Sequence, residues 1–454
     1  MSTARAKSAA PKNDLTKGPV ASSLARLTAP MVLGVSSSIL VQTLEMGFIG
    51  QLSTQHVAAI TFTFPLTMLL TSIALGIGIG TSSVIARSVG AGDAADMRRL
   101  ATHSLVLIAV LMSALSVVLW LLMDPIFTLL GASPQLLALI HTYLDIYLPG
   151  TVLFTLTMIL GNIMRANGEA NIPGMVMTVG AFANLVIDPF LIFGWLWFPR
   201  MELAGAATAM TITRVITTAV MLYYVLRGHL LLPKLNLDKF WQSAKRILHI
   251  GFPAMATQLI GPVTGLIVTR MLAQHGEVVV AGFGVATRIE AVAAMLLFAL
   301  SGSIGPFVGQ NWGAKETHRV HQGVRASYQF CLIWGFIMAV PLLFFGPQIA
   351  GWIEPSAEVA LVAGLYLGIV PLSYGAWGVL MMASASFNAL GKPLPSTVLA
   401  FTRMFVIYIP LAMVLNHYYG YVGIFVATLT SNLVLACVAY VWFRSRLKNM
   451  AQAV

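Results

Sequence analysis

Three acidic residues lie inside long apolar segments of the sequence: Glu45, Asp188 and Glu290. An ionised carboxylate near the centre of a bilayer costs about 2.5–3.5 kcal/mol on insertion scales, so an unpaired position facing lipid is not expected. A buried carboxylate can bind and release a proton, or bind a small hard cation together with other oxygen ligands. These three residues are therefore the first candidates for chemistry in this chain.

Asp188 has the most informative neighbours of the three. Asn184 precedes it by four residues, so both side chains share one face of a helix. Pro189 removes a backbone donor at the next position and leaves carbonyl groups free. This group can hold a proton or Na⁺, with Glu45 as a further ligand. The alternative is a polar cluster that only joins two helices; we favour the ion site, because intramembrane acids are functional by default.

Each glutamate is open to two interpretations. Glu45 follows Pro30 by fifteen residues, and it either belongs to the ion site or is solvated near the outer membrane surface. Glu290 either takes part in coupling or forms a structural ion pair with an arginine of another segment. The arginines that can reach Glu290 are Arg214, Arg270 and Arg403, and the polar candidates of the second half are Glu290, Gln258 and Arg288.

The composition requires that membrane helices position these residues. The 454-residue chain is 58% apolar and only 9% charged, with a mean hydropathy of +0.85, which excludes a soluble enzyme. A membrane span takes about 20 apolar residues. Twelve such segments are predicted, at 22–49, 57–85, 100–123, 137–164, 172–197, 203–226, 247–273, 279–307, 326–347, 358–387, 396–416 and 421–443.

The positive charges predict the orientation. Of the 26 Lys and Arg residues, 21 lie in the termini and in loops on one side, Arg200 lies on the other side, and four arginines lie within spans. By the positive-inside rule the rich side is cytoplasmic, and both termini face the cytoplasm. The net charge of +11 is thus explained by topology and not by nucleic-acid binding. The first span is long and no cleavage site follows it, so we expect it to be retained.

An internal repeat relates the two halves at a constant shift in sequence. The shift that places Pro30 on Pro253 also places the Gly90-Ala91 turn on Gly313-Ala314. At the same shift Asp188 and Glu45 correspond to Leu411 and Val268, so these acids occur in the first half only. The predicted parts are an N-terminal tail at 1–21, an N-lobe at 22–227, a linker at 228–246, a C-lobe at 247–443 and a C-terminal tail at 444–454.

Several motifs resemble the multidrug and toxic compound extrusion (MATE) family, in its prokaryotic DinF-like branch. They are Leu27-Thr28-Ala29-Pro30, Gly47-Phe48-Ile49-Gly50, Gly161-Asn162-Ile163-Met164-Arg165-Ala166-Asn167-Gly168, Asn184-Leu185-Val186-Ile187-Asp188-Pro189, Arg288-Ile289-Glu290 and Gly309-Gln310-Asn311-Trp312-Gly313-Ala314. The resemblance implies an all-α fold of two six-helix bundles that form a V with a central cleft. It also implies export of cationic or amphipathic drugs, coupled to H⁺ or Na⁺ without another cofactor, by a monomer in the inner membrane.

The resemblance also assigns residues in the N-lobe. It places Asn162 and a threonine of the sixth span in the ion site, and a proline hinge at Pro30. Met210 stands at the position where the family has the threonine, so Thr208 is the nearest substitute. A threonine in a membrane helix more often bonds its own backbone. Glu45 replaces the usual aspartate, which leaves the geometry of a Na⁺ site open.

Other functions fit the residues less well. A lipid-linked precursor flippase of the same superfamily is the main alternative, but such proteins usually show more helices or a strongly cationic cavity. A membrane-embedded enzyme would need a convergent cluster of His, Ser or acidic residues. Neither that cluster, a filter-like channel repeat nor a phosphate-binding loop appears, and neither the two cysteines nor the nine histidines have a metal-ligand spacing.

Overall fold

The computed structural model describes residues 14–451, which form helices and connecting turns without a strand. Twelve helices in this range are long and apolar enough to cross a membrane, which confirms the predicted number. The fifteen α-helices are α1 Val20–Gly50, α2 Thr54–Gly90, α3 Ala94–Leu121, α4 Met123–Leu129, α5 Pro134–Ala166, α6 Asn171–Phe193, α7 Glu202–Arg227, α8 Phe240–Ala273, α9 Glu277–Gly313, α10 Thr317–Ile353, α11 Ala357–Ile369, α12 Tyr374–Ala389, α13 Pro393–Phe401, α14 Ile409–Tyr419 and α15 Tyr421–Ala451.

Two predicted spans contain helical irregularities. A 3₁₀ turn at Val370–Ser373, which begins next to Pro371, separates α11 from α12. A π-helical stretch at Thr402–Tyr408 separates α13 from α14. Such π segments are rare and often occur at functional sites. Hydropathy could not reveal either one, because both segments remain apolar along their length.

The repeat is visible in the backbone of the turns. The turn after α2 places Gly92 in the left-handed region at φ 73°, and the corresponding turn after α9 places Lys315 there at φ 64°. Gly168 and Gly391, which the repeat also pairs, have φ values of 86° and 75°. Glycine adopts this conformation without the steric cost that a Cβ atom brings. The second half therefore keeps the turn but carries strain at Lys315.

Replacing Lys315 with glycine is expected to stabilise the protein by about 0.5–1 kcal/mol, because it removes the Cβ from a left-handed residue. Thermal unfolding of the detergent-solubilised protein measures this effect. The matched variant Gly92→Ala places a Cβ at the corresponding position of the first half and should lower stability by a similar amount. A lower melting temperature for Lys315→Gly would show that the lysine side chain contributes more than the turn strain costs.

Contacts divide the chain into two compact units. Unit 1 contains Ala29–Gly251, and unit 2 contains Leu15–Thr28 and the chain from Phe252 onward. The two boundaries lie at equivalent positions of the repeat, within α1 and within α8, and each falls just before a proline, Pro30 or Pro253. The predicted lobe boundaries stay a prediction. Residues 1–13 and 452–454 lie outside the described residues, α8 includes residues 240–246 of the predicted linker, and α15 includes most of the predicted C-terminal tail.

The core of unit 1 lies among α2, α3, α5 and α7, with α6 packed on α7. The segment that leads into α8 is fixed to this unit by polar contacts. His103 is fully buried and its ring nitrogens bond Ser243 Oγ and the Asn236 carbonyl, each at 2.8 Å. Arg246 donates to the carboxylate of Asp96 at 2.9 Å. The last part of the predicted linker is therefore ordered against the first half of the chain.

Unit 2 holds the segment that leads into α1 in a similar way. The Leu15 amide donates to Gln310 Oε1 at 3.2 Å, and Asn311 Nδ2 donates to the Leu15 carbonyl at 3.1 Å. Arg319 donates to the carbonyls of Leu15, Lys17 and Gly18. The Gly-Gln-Asn motif of α9 thus binds the backbone that enters the first helix.

Candidate functional site

Asp188 and Asn184 form the centre of the polar site in unit 1. Asp188 is completely buried in α6, and Asn184 Nδ2 donates to Asp188 Oδ2 at 2.9 Å. The four-residue spacing that predicted a shared helix face therefore produces a direct hydrogen bond. Pro189 follows within the same helix, which continues to Phe193.

Glu45 lies at a corresponding depth in α1. It is five residues from the end of α1 at Gly50, as Asp188 is five residues from the end of α6 at Phe193. Only 8% of Glu45 is exposed, and its charge interacts with that of Asp188. We call these two residues the acid pair. The burial of Glu45 argues against the alternative of a carboxylate solvated at the outer surface.

Two oxygen atoms of this site are buried without a hydrogen-bond partner: Asp188 Oδ1 and Asn184 Oδ1. A buried acceptor without a partner costs about 1–3 kcal/mol, so such atoms typically mark a place where a proton, water or ion binds. Among the described residues no group of three or more His, Cys, Asp and Glu residues is arranged to hold a metal ion. The site therefore offers two carboxylates and one amide oxygen, and its use for H⁺ or for Na⁺ stays a prediction.

Arg214 of α7 also belongs to this site, although the sequence suggested Glu290 as its partner. Its guanidinium carbon lies 4.7 Å from the ring centre of Tyr147 and 5.3 Å from that of Phe154. Its charge interacts with Glu45, and its Nη1 atom is buried without a hydrogen-bond partner. An arginine inside an apolar segment was the available signal. The sequence did not show which helices pack next to this arginine.

The two weaker candidates have other partners. Asn162 Oδ1 accepts a hydrogen bond from Arg165 at 2.6 Å, near the end of α5 that connects to α6. At 1.5 Å per residue this position is about 20 Å from Asp188 along the helix axis. Thr208 donates to the carbonyl of Ala204 in its own helix at 2.6 Å, as membrane threonines often do. Their roles in coupling stay predictions.

Pro30 lies where α1 packs closely on α6. A Cβ built at Gly174 would meet the Pro30 carbonyl oxygen at 2.5 Å, so only glycine permits this approach. One turn later, a Cβ at Gly34 would lie 3.0 Å from the Met177 side chain. The helix α1 continues through Pro30, and a hinge at this proline stays a prediction.

Glu290 of unit 2 is bound by tyrosines and not by an arginine. Its carboxylate accepts hydrogen bonds from the hydroxyls of Tyr366 at 2.7 Å and Tyr374 at 3.2 Å. Arg403 interacts with Glu290 electrostatically but donates its hydrogen bond to Asn432 Oδ1 at 2.9 Å. Among the described residues no ion pair within 4.0 Å joins Glu290 to an arginine. Of the other polar candidates in this half, Arg288 is exposed and Gln258 of α8 is partly buried.

Removing the Tyr366 hydroxyl is expected to destabilise the protein. Tyr366→Phe deletes a hydrogen bond to a partly buried carboxylate, and bonds to charged groups contribute about 1.5–3 kcal/mol. The melting temperature in detergent should fall accordingly. The control Tyr418→Phe changes an exposed tyrosine and should have no effect. Equal melting temperatures for Tyr366→Phe and the wild type would show that Tyr374 and Arg403 suffice to hold Glu290.

The MatE family profile matches residues 30–190 and 253–414 of this chain. The two matched ranges begin at Pro30 and Pro253, which the internal repeat pairs, and together they cover more than half of the sequence. The chain belongs to the MATE family of transporters. The family consists of transporters, so the membrane-embedded enzyme is excluded as an alternative.

Three MATE relatives cover nearly the whole chain. A protein of Shewanella oneidensis described as an FAD transporter is 31% identical over 431 residues, which is 94% of this chain and 95% of the relative. The multidrug export protein MepA of Staphylococcus haemolyticus is 26% identical over 416 residues, 90% of each chain. The crystal structure of the Vibrio cholerae MATE transporter VcmN in the bent form superimposes with a TM-score of 0.89 at 31% identity, covering 95% of this chain and 97% of VcmN.

Proposed function

We propose that this protein is a secondary active exporter of cationic or amphipathic organic compounds, in exchange for H⁺ or Na⁺, with the coupling site at the acid pair. It acts in the inner membrane of a bacterium as a monomer, with both termini cytoplasmic, and it needs no cofactor other than the coupling ion. Two relatives support the substrate class. MepA is described as a multidrug export protein, and YoeA of Bacillus subtilis, which is 24% identical over 95% of this chain, is described as a probable multidrug resistance protein. The asymmetry of charge on the two sides supports the orientation.

One observation carries the proposal. Asp188 and Glu45 are buried carboxylates whose charges interact, and Asp188 Oδ1 and Asn184 Oδ1 are buried acceptors without a hydrogen-bond donor. Two interacting carboxylates repel each other, and Arg214 can compensate only one of their two negative charges. The arrangement therefore favours uptake of a cation or proton, and its corresponding positions in unit 2 are the apolar Leu411 and Val268.

The coupling follows from differential binding to two states. An ion bound at the acid pair neutralises repulsion between α1 and α6, and the two helices also meet where Gly174 contacts Pro30. A change of charge at one end of α1 therefore biases the bend at its proline. A substrate that binds the deprotonated state better is then exchanged for the ion, because a ligand shifts an equilibrium only by its differential affinity.

A second substrate class is favoured by the Shewanella relative, which is described as an FAD transporter. At 31% identity over nearly the whole chain, export of a flavin nucleotide is the alternative cargo for the same ion site. The lipid-linked precursor flippase stays the further alternative within the superfamily.

Proteoliposomes that contain the purified protein test these functions. A proton gradient and a Na⁺ gradient are imposed separately, and the movement of a fluorescent cationic dye and of FAD is measured against protein-free vesicles. Dye movement driven by either gradient supports the proposal, and the effective gradient identifies the ion. FAD movement alone would establish the alternative cargo. No movement of either compound with either gradient would contradict the proposal and favour the flippase.

A further inference from the structure

A pocket of about 280 Å³ lies in unit 2, between the N-terminal part of α10 and the C-terminal part of α15. The residues that line it are spaced by three or four positions, so they share one face of each helix. They are His321, Val324, Arg325, Tyr328, Tyr440, Phe443 and Arg444. We call these seven residues the arginine pocket. The acids of the proposed ion site belong to unit 1 and take no part in it.

The arginine pocket carries positive charge without a matching acid. Arg325 and Arg444 are exposed, as is His321 one turn before Arg325. Neither α10 nor α15 contains an Asp or Glu residue. Among the residues that the structure describes, no carboxylate lies within 4.0 Å of either guanidinium. Both arginines can therefore donate to an anion from outside the chain.

The donors of this pocket fit a phosphate group. Guanidinium groups bind phosphate oxygens through paired N–H donors, and two of them line one small pocket here. The ring of His321 offers a further N–H donor. Tyr328 is only 6% exposed, and its hydroxyl is buried without a hydrogen-bond partner. A phosphodiester, which has one negative charge and several oxygen acceptors, matches this set.

An exposed apolar track continues from the pocket along both helices. Leu332 and Phe336 lie one and two turns beyond the pocket on α10, and they are 54% and 71% exposed. Cys437 and Leu433 lie one and two turns beyond it on α15 and are also exposed. Both helices are long and apolar enough to cross a membrane, so these side chains face lipid. A soluble phosphate compound would leave the track unused, whereas a phospholipid occupies both the pocket and the track.

The pocket also lies at the right end of the two helices for a lipid headgroup. Arg444 is followed by Arg446 and Lys448, so this end belongs to the positively charged side of the chain. The proposed orientation places that side in the cytoplasm. Basic pockets between membrane helices on the cytoplasmic side are typical binding places for anionic lipid headgroups.

We propose that the arginine pocket binds the phosphodiester headgroup of an anionic phospholipid, whose acyl chains lie along the apolar track of α10 and α15. Both helices pack on α12, and the lipid fills the remaining space between them. The lipid thus joins two helices of unit 2 at their charged ends. This site goes beyond the proposed function and takes from it only the orientation of the chain.

Native mass spectrometry of the full-length, delipidated protein in detergent tests the proposal. The protein is titrated with phosphatidylglycerol, and with zwitterionic phosphatidylcholine at the same concentrations. We expect the wild type to bind a single phosphatidylglycerol in preference to phosphatidylcholine. Arg325→Gln combined with Arg444→Gln should weaken this binding about 30-fold, since each arginine near a membrane surface contributes about fivefold. The matched control, Arg227→Gln combined with Arg446→Gln, removes two exposed arginines outside the pocket and should bind as the wild type does.

Thermal melting gives a second readout and separates a lipid from a free phosphate. A ligand that binds only the folded protein raises the melting temperature by mass action. Phosphatidylglycerol should therefore raise it for the wild type and the control, and much less for the double variant of the pocket. Inorganic phosphate should neither raise the melting temperature nor displace phosphatidylglycerol, because it has no acyl chains to occupy the track.

Three outcomes would overturn the proposal. They are equal binding of the two lipids by the wild type, equal phosphatidylglycerol binding by the wild type and the pocket variant, and displacement of the lipid by inorganic phosphate. If the double variant does not fold, as judged by gel filtration, the single variants Arg325→Gln and Arg444→Gln replace it, each with an expected loss of about fivefold. The assay measures binding without transport, so a failure of dye export in proteoliposomes would refute the proposed function and leave this result separate.

Discussion

Replacing Asp188 with asparagine is expected to abolish gradient-driven transport while the protein remains folded. Asparagine has the shape of aspartate, and its side-chain oxygen can still accept the hydrogen bond from Asn184 Nδ2. The variant cannot change its charge, so the ion gradient has no group to act on at this position. The expected loss is at least about tenfold in the initial rate of dye export, since a coupling step of this kind depends on a titratable group.

The design separates loss of coupling from loss of structure. Removing an ionisable group from a fully buried position relieves a desolvation cost, so the melting temperature of Asp188→Asn should equal or exceed that of the wild type. Asp145→Asn is the matched control, because it makes the same chemical change at an exposed position of α5. Full transport by Asp188→Asn, or equal losses in both variants, would refute the assignment of Asp188.

Hydropathy and the repeat predict the fold of this chain to a useful degree. Each of the twelve predicted spans has a corresponding helix, because a membrane span must be long, apolar and internally hydrogen-bonded. The helices α2 and α9 run beyond the predicted spans at both ends, because their backbone hydrogen bonding continues into the less apolar flanking residues. Nothing in the hydropathy of the sequence indicated the π-helical stretch at Thr402–Tyr408.

The site was predicted in part. The Asn184–Asp188 bond follows from helical spacing alone, and it is observed. Arg214 and Glu290 are different, because their partners lie on other helices and sequence spacing does not say which helices are neighbours. The prediction considered Arg214 as a partner of Glu290. In the structure Arg214 lies over the rings of Tyr147 and Phe154, and Glu290 accepts hydrogen bonds from Tyr366 and Tyr374.

The contact between α1 and α6 at Gly174 leads to the second large effect. A Cβ at this position would lie 2.5 Å from the carbonyl oxygen and 2.6 Å from the Cβ of Pro30. Both atoms belong to a packed helix and cannot move aside as the end of a flexible side chain can. Gly174→Ala must therefore separate α1 from α6, and overpacking of this kind costs about 1–3 kcal/mol.

Gly174→Ala should lower both stability and transport, because the contact supports the helix that carries Glu45 and the predicted hinge at Pro30. We expect a lower melting temperature in detergent and a several-fold slower dye export, with export falling even at temperatures where the variant is fully folded. Gly47→Ala in α1 is the matched control, since a Cβ there meets nothing within 4 Å and alanine favours the helix by up to about 1 kcal/mol.

Gly174→Ala and its control Gly47→Ala together distinguish a hinge at Pro30 from a simple packing contact. If Pro30 must bend against α6 during transport, the rate of Gly174→Ala falls by more than its loss of stability explains, because the folded fraction remains near one at the assay temperature. If the contact is only structural, the rate follows the folded fraction and recovers on cooling. A folded Gly174→Ala protein with the wild-type rate would show that the approach of α1 to Gly174 is not used in the transport cycle.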